Sequence, residues 1–239
     1  MKFDIAVIGA GIIGLSHAYA AAQRGLRVAI FERSYTPVGA SVRNFGHGLI
    51  LGQAPGKMLD LAKNSREIWA TMAKQAKFLT RQKGTYLLAR TQSEHAVLEA
   101  FVDGRAKTYG YDCELLSKTQ LATVYGGQLQ HHRAALHGKE DQVLFSREAI
   151  PQLAAYLGSL ANVTSYFSTL VRDIDVDTGT LITSNGTFSA EKIIVCSGHD
   201  YQTLLADEIK KLDPIVCRLQ MLRVTTEQNI GLAHALMTG

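Results

Sequence analysis

Residues 3–32 read FDIAVIGAGIIGLSHAYAAAQRGLRVAIFE: an apolar strand, a glycine turn, an alanine-rich helix and a second apolar strand closed by an acid. The β-branched and apolar run from Ile5 to Ile8 suits a strand buried on both faces of a parallel sheet. Gly9, Gly11 and Gly14 follow at the spacing GxGxxG, which is weak alone and strong between a strand and a helix. Gly9 permits a tight turn, Gly11 removes the Cβ that would keep a pyrophosphate off the backbone, and Gly14 lets helix and strand approach. The helix's first-turn N–H groups and its dipole would then face the phosphates. The helix is expected to stop at Gly25, a residue suited to the left-handed position after a helix. Glu32 closes the second strand eighteen residues after Gly14. A carboxylate there can accept both hydroxyls of an adenosine ribose.

Composition narrows the class further. A chain of 239 residues with 46% hydrophobic residues can bury roughly 70–75% of its extended surface, enough for one large core or two modest domains. A net charge of +4 is mild, and no basic run with interleaved aromatics argues for nucleic acid. No apolar run reaches membrane-spanning length. Cys113, Cys196 and Cys217 are scattered, odd in number and without a CxxC pair, which suits the reduced thiols of a cytoplasmic protein and argues against zinc. His131, His132 and His137 have no carboxylate at metal-like spacing, so no metal is expected.

Beyond Glu32 lies a loop ending VGASVRNFGHGLILGQAPG, with five glycines over residues 38–56. Such density marks backbone that approaches something closely or takes positive φ. The segment after the second strand starts at the edge that holds the pyrophosphate, so Ser41, Arg43, Asn44, Gly46 and His47 are placed to line the rest of a bound cofactor. Residues 57–79 read as an amphipathic helix with Leu61, Ile68, Trp69, Met72 and Ala76 on its inner stripe. A strand is expected over 84–89, a helix over 93–109 and a short helix over 117–124 capped by Ser117. The adjacent histidines 131 and 132 are read on a strand. Residues 146–159 form a helix with Pro151 near its start. Three strands follow over 163–196, with turns at 177–179 and at Asn185-Gly186, the strongest hairpin signal in the chain. KIIVC (192–196) reads as a buried strand ending at Ser197, Gly198 and His199. Residues 200–212 are expected as a helix and 215–225 as a long strand carrying Arg218 and Arg223.

The glycine motif, Glu32-Arg33, the meander and the late IIVCSGH segment resemble, in that order, the FAD-dependent oxidoreductases of the D-amino-acid oxidase, glycine oxidase and sarcosine oxidase group. The loop ASVRNFGHGLILGQAPG resembles a branch found with phosphonate-degradation proteins. The resemblance implies an α/β fold: a Rossmann-like FAD-binding domain with a three-stranded β-meander (1–83 and 145–212), plus a partial α+β substrate domain (84–144 and 213–239). It implies FAD held at Gly9, Ala10, Gly11, Ile13, Gly14, Glu32 and Arg33, with Val171 at the adenine, Ser197 and Gly198 at the pyrophosphate, and the flavin along Ser41, Asn44, Gly46 and His47. Arg43, Arg218 or Arg223 would clamp the anionic group of a small amine substrate. The implied reaction is hydride transfer from the amine-bearing carbon to the flavin. Family members continue past the point where this sequence stops, so a partial chain with open, self-associating strand edges is expected. A nicotinamide-dependent dehydrogenase or a non-catalytic nucleotide-binding remnant would share the first βαβ unit.

Overall fold

The opening apolar run forms strand β1 (Lys2–Ile8), and the glycine turn leads through helix α1 (Ile12–Ala22) to strand β2 (Val28–Phe31). The computed structural model describes residues 2–215, 217–222, 224, 227 and 231–238. These group into two compact units: Met1–Asn44, Lys74–Phe78 and Ser146–Leu222, and separately Phe45–Ala73, Leu79–Phe145 and Arg223–Gly239.

The first unit is built on a six-stranded sheet. Its remaining strands are β3 (Val163–Tyr166), β4 (Val171–Asp175), β5 (Thr180–Thr183) and β6 (Gly186–Val195), in the order β4-β5-β6-β1-β2-β3. The four strands from β6 to β3 run parallel, while β4, β5 and the start of β6 form an antiparallel meander. One face of β1 packs Ala6 and Ile8 into a core with Phe31, Val171 and Leu181. There Phe31 stacks on Tyr166 at 5.0 Å and meets Phe188 edge-on at 5.0 Å. The other face lies under α1, where Leu15 and Ala18 are fully buried. A helix rich in alanine can sit this close because its side chains add little thickness.

The second unit holds a four-stranded sheet in the order Ala235–Thr238, Thr85–Ala89, Ala134–Gly138, Cys113–Ser117. A smaller sheet pairs Gln142–Leu144 with His47–Gly48 on one side and Thr80–Arg81 on the other. Ser117 caps its helix as expected, in a reciprocal box with Gln120, but the helix covers only Lys118–Leu121 and stops short of residue 124.

Several elements depart from the sequence reading. The helix at 57 ends at Ala76, and Lys77 turns out of it at φ +59°. It buries Leu59, Met72 and Ala73 and leaves Leu61 and Ile68 about half exposed, because two overlapping stripes share Met72 and the rotation falls on the other one. The helix expected over 93–109 is present, running from Gln92 to Tyr109, and it includes a π-helical turn at Phe101–Ala106. His131 and His132 sit in a turn rather than on a strand. Pro151 lies inside the helix Ser146–Gly158, not at its first turn. There are four strands over 163–196, since Val163 opens a separate parallel strand beside β2, and the hairpin arm and KIIVC are one ten-residue strand, β6. Of the helix expected over 200–212, only Ala206–Lys210 is helical among the described residues. Asp200 accepts the N–H groups of Gln202 and Thr203, each at 3.1 Å, a local turn that competes with helix. The described residues of 215–225 form no strand, with Ile215, Leu219, Leu222 and Val224 all strongly exposed. Alternation alone does not make a strand without a neighbour to pair with. No helix among the described residues is long and apolar enough to cross a membrane.

Candidate functional site

At the carboxyl ends of β1, β2 and β6 the first unit opens into a cleft of about 730 Å³. Its floor is the glycine turn. Gly9 takes φ +105°, and a Cβ there would stand 2.3 Å from the carbonyl oxygen of Cys196. Its N–H donates to Phe31 O at 2.7 Å, while Cys196 N–H donates to Ile8 O at 2.7 Å, so three strand ends are tied together at this point. A Cβ on Gly14 would lie 1.9 Å from the Gly9 carbonyl oxygen, which explains why the first turn of α1 needs glycine.

Helix α1 begins at Gly11 with no side-chain cap and no acid in its first turn. The first N–H groups of a helix have no intrahelical acceptor. Ile12 N–H is met by Ser41 Oγ at 2.9 Å, and a Cβ on Gly11 would come 3.1 Å from the same oxygen. An uncapped helix start over glycine fits the two charges of a dinucleotide's pyrophosphate, which needs N–H donors and close backbone approach.

Glu32 stands at the end of β2, half-buried. Its Oε2 accepts Ala10 N–H at 2.9 Å and its Oε1 accepts Ser34 N–H at 3.0 Å. Arg33 pairs with Asp200 at 2.8 Å. Gly9, Gly11, Ile13, Glu32, Arg33 and Ser41 line the cleft, as do Asn44, Val171, Ser197 and Gly198. Ala10 is fully buried behind them, and Gly14 packs under the turn. Asn44 donates its amide to the carbonyls of Ala40 and Ser41 at 3.0 and 2.9 Å. Arg43 and Arg218 are exposed. Arg223 lies outside the described residues. Ser34, Pro37, Thr169, Asp200 and Thr203 also line the cleft, outside the residues that the sequence marks for the cofactor. The one legible signal was Asp200 three residues before Thr203, an Asx-turn pattern.

Gly46 and His47 belong to the second unit. Gly46, at φ +67°, accepts Leu144 N–H on its carbonyl oxygen at 2.6 Å and has no room for a Cβ beside Leu144 O. His47 Nε2 lies 2.6 Å from Thr85 Oγ1 and 3.5 Å from Asp141 Oδ2. Asp141 is buried and accepts Ile50 and Leu51 N–H at 2.7 and 3.0 Å. Burial pushes its carboxyl up, but the bonds from His47, Leu51 and Ile50 outweigh this and hold it below the ordinary carboxylate value. A carboxyl lowered by folding adds stability above its unfolded pKa of about 4 and loses it as pH falls through the lower folded value. Melting curves taken from neutral pH into acid should therefore show stability dropping below about pH 4, and Asp141→Asn should flatten that acid limb.

All three cysteines are free. Burial pushes the Cys113 and Cys196 thiols up, and Cys217 is exposed. Thiol titration of denatured, unreduced protein should count three, with Cys217 labelled first in the native state; a count of one would reveal a disulfide.

Comparison with known proteins agrees with this geometry. The sequence profile described as "DAO: FAD dependent oxidoreductase" matches residues 4–237. Monomeric sarcosine oxidase of Bacillus sp. (strain B-0618) is 26% identical over 205 residues, covering 82% of this chain and 51% of that protein. Glycine oxidase of Geobacillus kaustophilus (strain HTA426) is 27% identical over 215 residues, covering 82% and 55%. The crystal structure of glycine oxidase from Geobacillus kaustophilus superposes with a TM-score of 0.75 at 26% identity, over 86% of this chain and 58% of that one. The chain thus spans about half the length of the curated relatives it matches. With a glycine cradle, an uncapped helix start and a strand-end acid in one cleft, and a family match over nearly its whole length, the chain belongs to the FAD dependent oxidoreductases, and its cofactor is FAD.

Proposed function

We propose that the protein containing this chain oxidises a small amine that also bears an anionic group: an amino acid, an N-methyl amino acid or an aminophosphonate. The observation that carries the cofactor side of this reading is the cleft over Gly9 and Gly11 with Glu32 at its rim. In it the pyrophosphate rests on the first turn of α1, the ribose on Glu32, and Arg33 and Val171 border the adenosine. Ser197 and Gly198 close the phosphate side, while Ser41 and Asn44 lead toward the flavin. The substrate side is supported by the two relatives, which by name are oxidases of sarcosine and of glycine, both small amines carrying a carboxylate. Bound FAD supplies the acceptor for the hydride that leaves the amine-bearing carbon. The chain's own part is to hold charge and exclude water. An arginine fork, with Arg43, Arg218 and Arg223 as candidates, matches a carboxylate or phosphonate in two parallel bonds.

The test is anaerobic mixing of FAD-loaded protein with glycine, N-methyl amino acids and aminophosphonates, read as bleaching of the flavin absorbance. Bleaching by at least one amine class is expected, and the class that bleaches fastest names the substrate. Bleaching by 2-hydroxy acids alone would replace the amine reading. Protein that binds NADH and stays colourless with excess FAD would favour a nicotinamide enzyme.

A further inference from the structure

We propose that Asp200 is a positioning residue for the adenosine end of the cleft: it holds the Arg33 guanidinium away from the neighbouring Glu32, leaving that carboxylate free for the ribose. The proposal rests on the reading of the cleft as the FAD site.

Arg33 directly follows Glu32, the acid that must accept the ribose hydroxyls. A guanidinium on the adjacent residue is an intramolecular competitor for that carboxylate, because paired charge-assisted bonds are the ones arginine favours. The structure gives Arg33 a different partner, from a loop 167 residues away in sequence: its Nη1 lies 2.8 Å from Asp200 Oδ2. Asp200 is built to be that partner. Its side chain is only 11% exposed, against 46% for Arg33. Oδ1 accepts the N–H groups of Gln202 and Thr203, and Oδ2 accepts the Thr203 hydroxyl at 2.7 Å. The carboxylate is therefore fixed by three bonds of its own loop before the guanidinium arrives. Exposed ion pairs on mobile side chains contribute little to stability. A pair with one fixed, mostly buried member instead sets where the mobile member points.

Charge supports the same assignment. Both residues line a cleft suited to an anionic dinucleotide. An unpaired aspartate there would repel a diphosphate, and pairing with Arg33 neutralises it. One of the guanidinium's five N–H donors is used by Asp200, which leaves donors and a planar face for an adenosine.

The experiment is a double-mutant cycle on FAD affinity in the purified chain, with Asp200→Asn, Arg33→Gln and the double variant, and with FMN, which lacks adenosine, as a second ligand. Asparagine keeps the Oδ1 acceptor for the two backbone N–H groups and removes the charge. Asp200→Asn should weaken FAD binding about tenfold, leave FMN binding unchanged, and lose nearly all its effect when Arg33→Gln is already present. An unchanged FAD affinity in Asp200→Asn, or the same loss with and without Arg33, overturns the proposal while wild-type binding still upholds the cleft reading. Failure of the wild type to bind FAD or ADP overturns both. Should Asp200→Asn give no cooperative melt, Thr203→Val removes a hydroxyl from the same oxygen and must show a smaller loss with the same dependence on Arg33.

Discussion

Gly14→Ala should destabilise the first unit by about 3 kcal/mol and abolish retention of FAD. Alanine is the better helix former by about 1 kcal/mol, so propensity alone predicts the opposite sign. The contact decides it. The added Cβ would stand 1.9 Å from the Gly9 carbonyl oxygen and 3.1 Å from Val7 Cγ1, and the nearer obstacle is backbone rather than a side chain that can swing away. Either α1 lifts from β1 or the turn that carries the phosphate-facing N–H groups opens, and each outcome spoils the cradle. Gly9→Ala should be at least as severe, because a φ of +105° adds strain of about 1–3 kcal/mol to a 2.3 Å approach on Cys196 O. Gly25→Ala is the control: φ is +75° with nothing within 4 Å of its Cβ, so only the left-handed penalty of about 1 kcal/mol applies. Urea unfolding of the three variants, alongside FAD titration, checks the order. A Gly14→Ala protein that melts and binds like its parent would show the contact to be relaxable.

That glycine cradle was legible in sequence because three independent constraints coincide there. The apolar strand, the helix and the acid after the second strand each demand particular residue types at fixed spacing, and Gly9, Gly14 and Glu32 meet them together. The cap at Ser117 was legible for a similar reason, since its partner lies within one turn. Legibility fails where the partner is distant. Arg33 shows nothing of Asp200 in the local sequence, and the pair forms only because β6 runs parallel to β1 and delivers its following loop to the same edge. The unity of β6 was hidden differently. Its first half is a half-solvated hairpin arm and its second half sits inside a parallel sheet, so one strand carries two hydrophobic patterns. The segment at 215–225 carries a strand's alternation without a pairing neighbour among the described residues, and composition cannot reveal whether a neighbour exists.

Glu32→Ala should weaken FAD binding by about a hundredfold, for two reasons that can be separated. A carboxylate offers about four lone-pair positions. Two are occupied here, one on each oxygen, by Ala10 and Ser34 N–H, which leaves one on each oxygen for the two ribose hydroxyls. Losing charge-assisted bonds to the ribose costs about 1.5–3 kcal/mol, or ten- to a hundredfold in affinity. Losing the acceptor for Ala10 loosens the glycine turn as well, and this part should appear in the ligand-free protein as a stability loss of about 1–3 kcal/mol. FMN separates the two, since it carries a phosphate but no adenosine: its binding should fall only by the share due to the loosened turn. Glu32→Gln sharpens the point. The amide oxygen can replace one acceptor, but the amide nitrogen is a donor and must face either a backbone N–H or a ribose hydroxyl. The glutamine variant should therefore lie nearer to alanine than to glutamate in FAD affinity, although it fills the same volume. An unchanged FAD dissociation constant in Glu32→Ala would remove the ribose from this carboxylate and leave it the structural task of tying β2 to the turn.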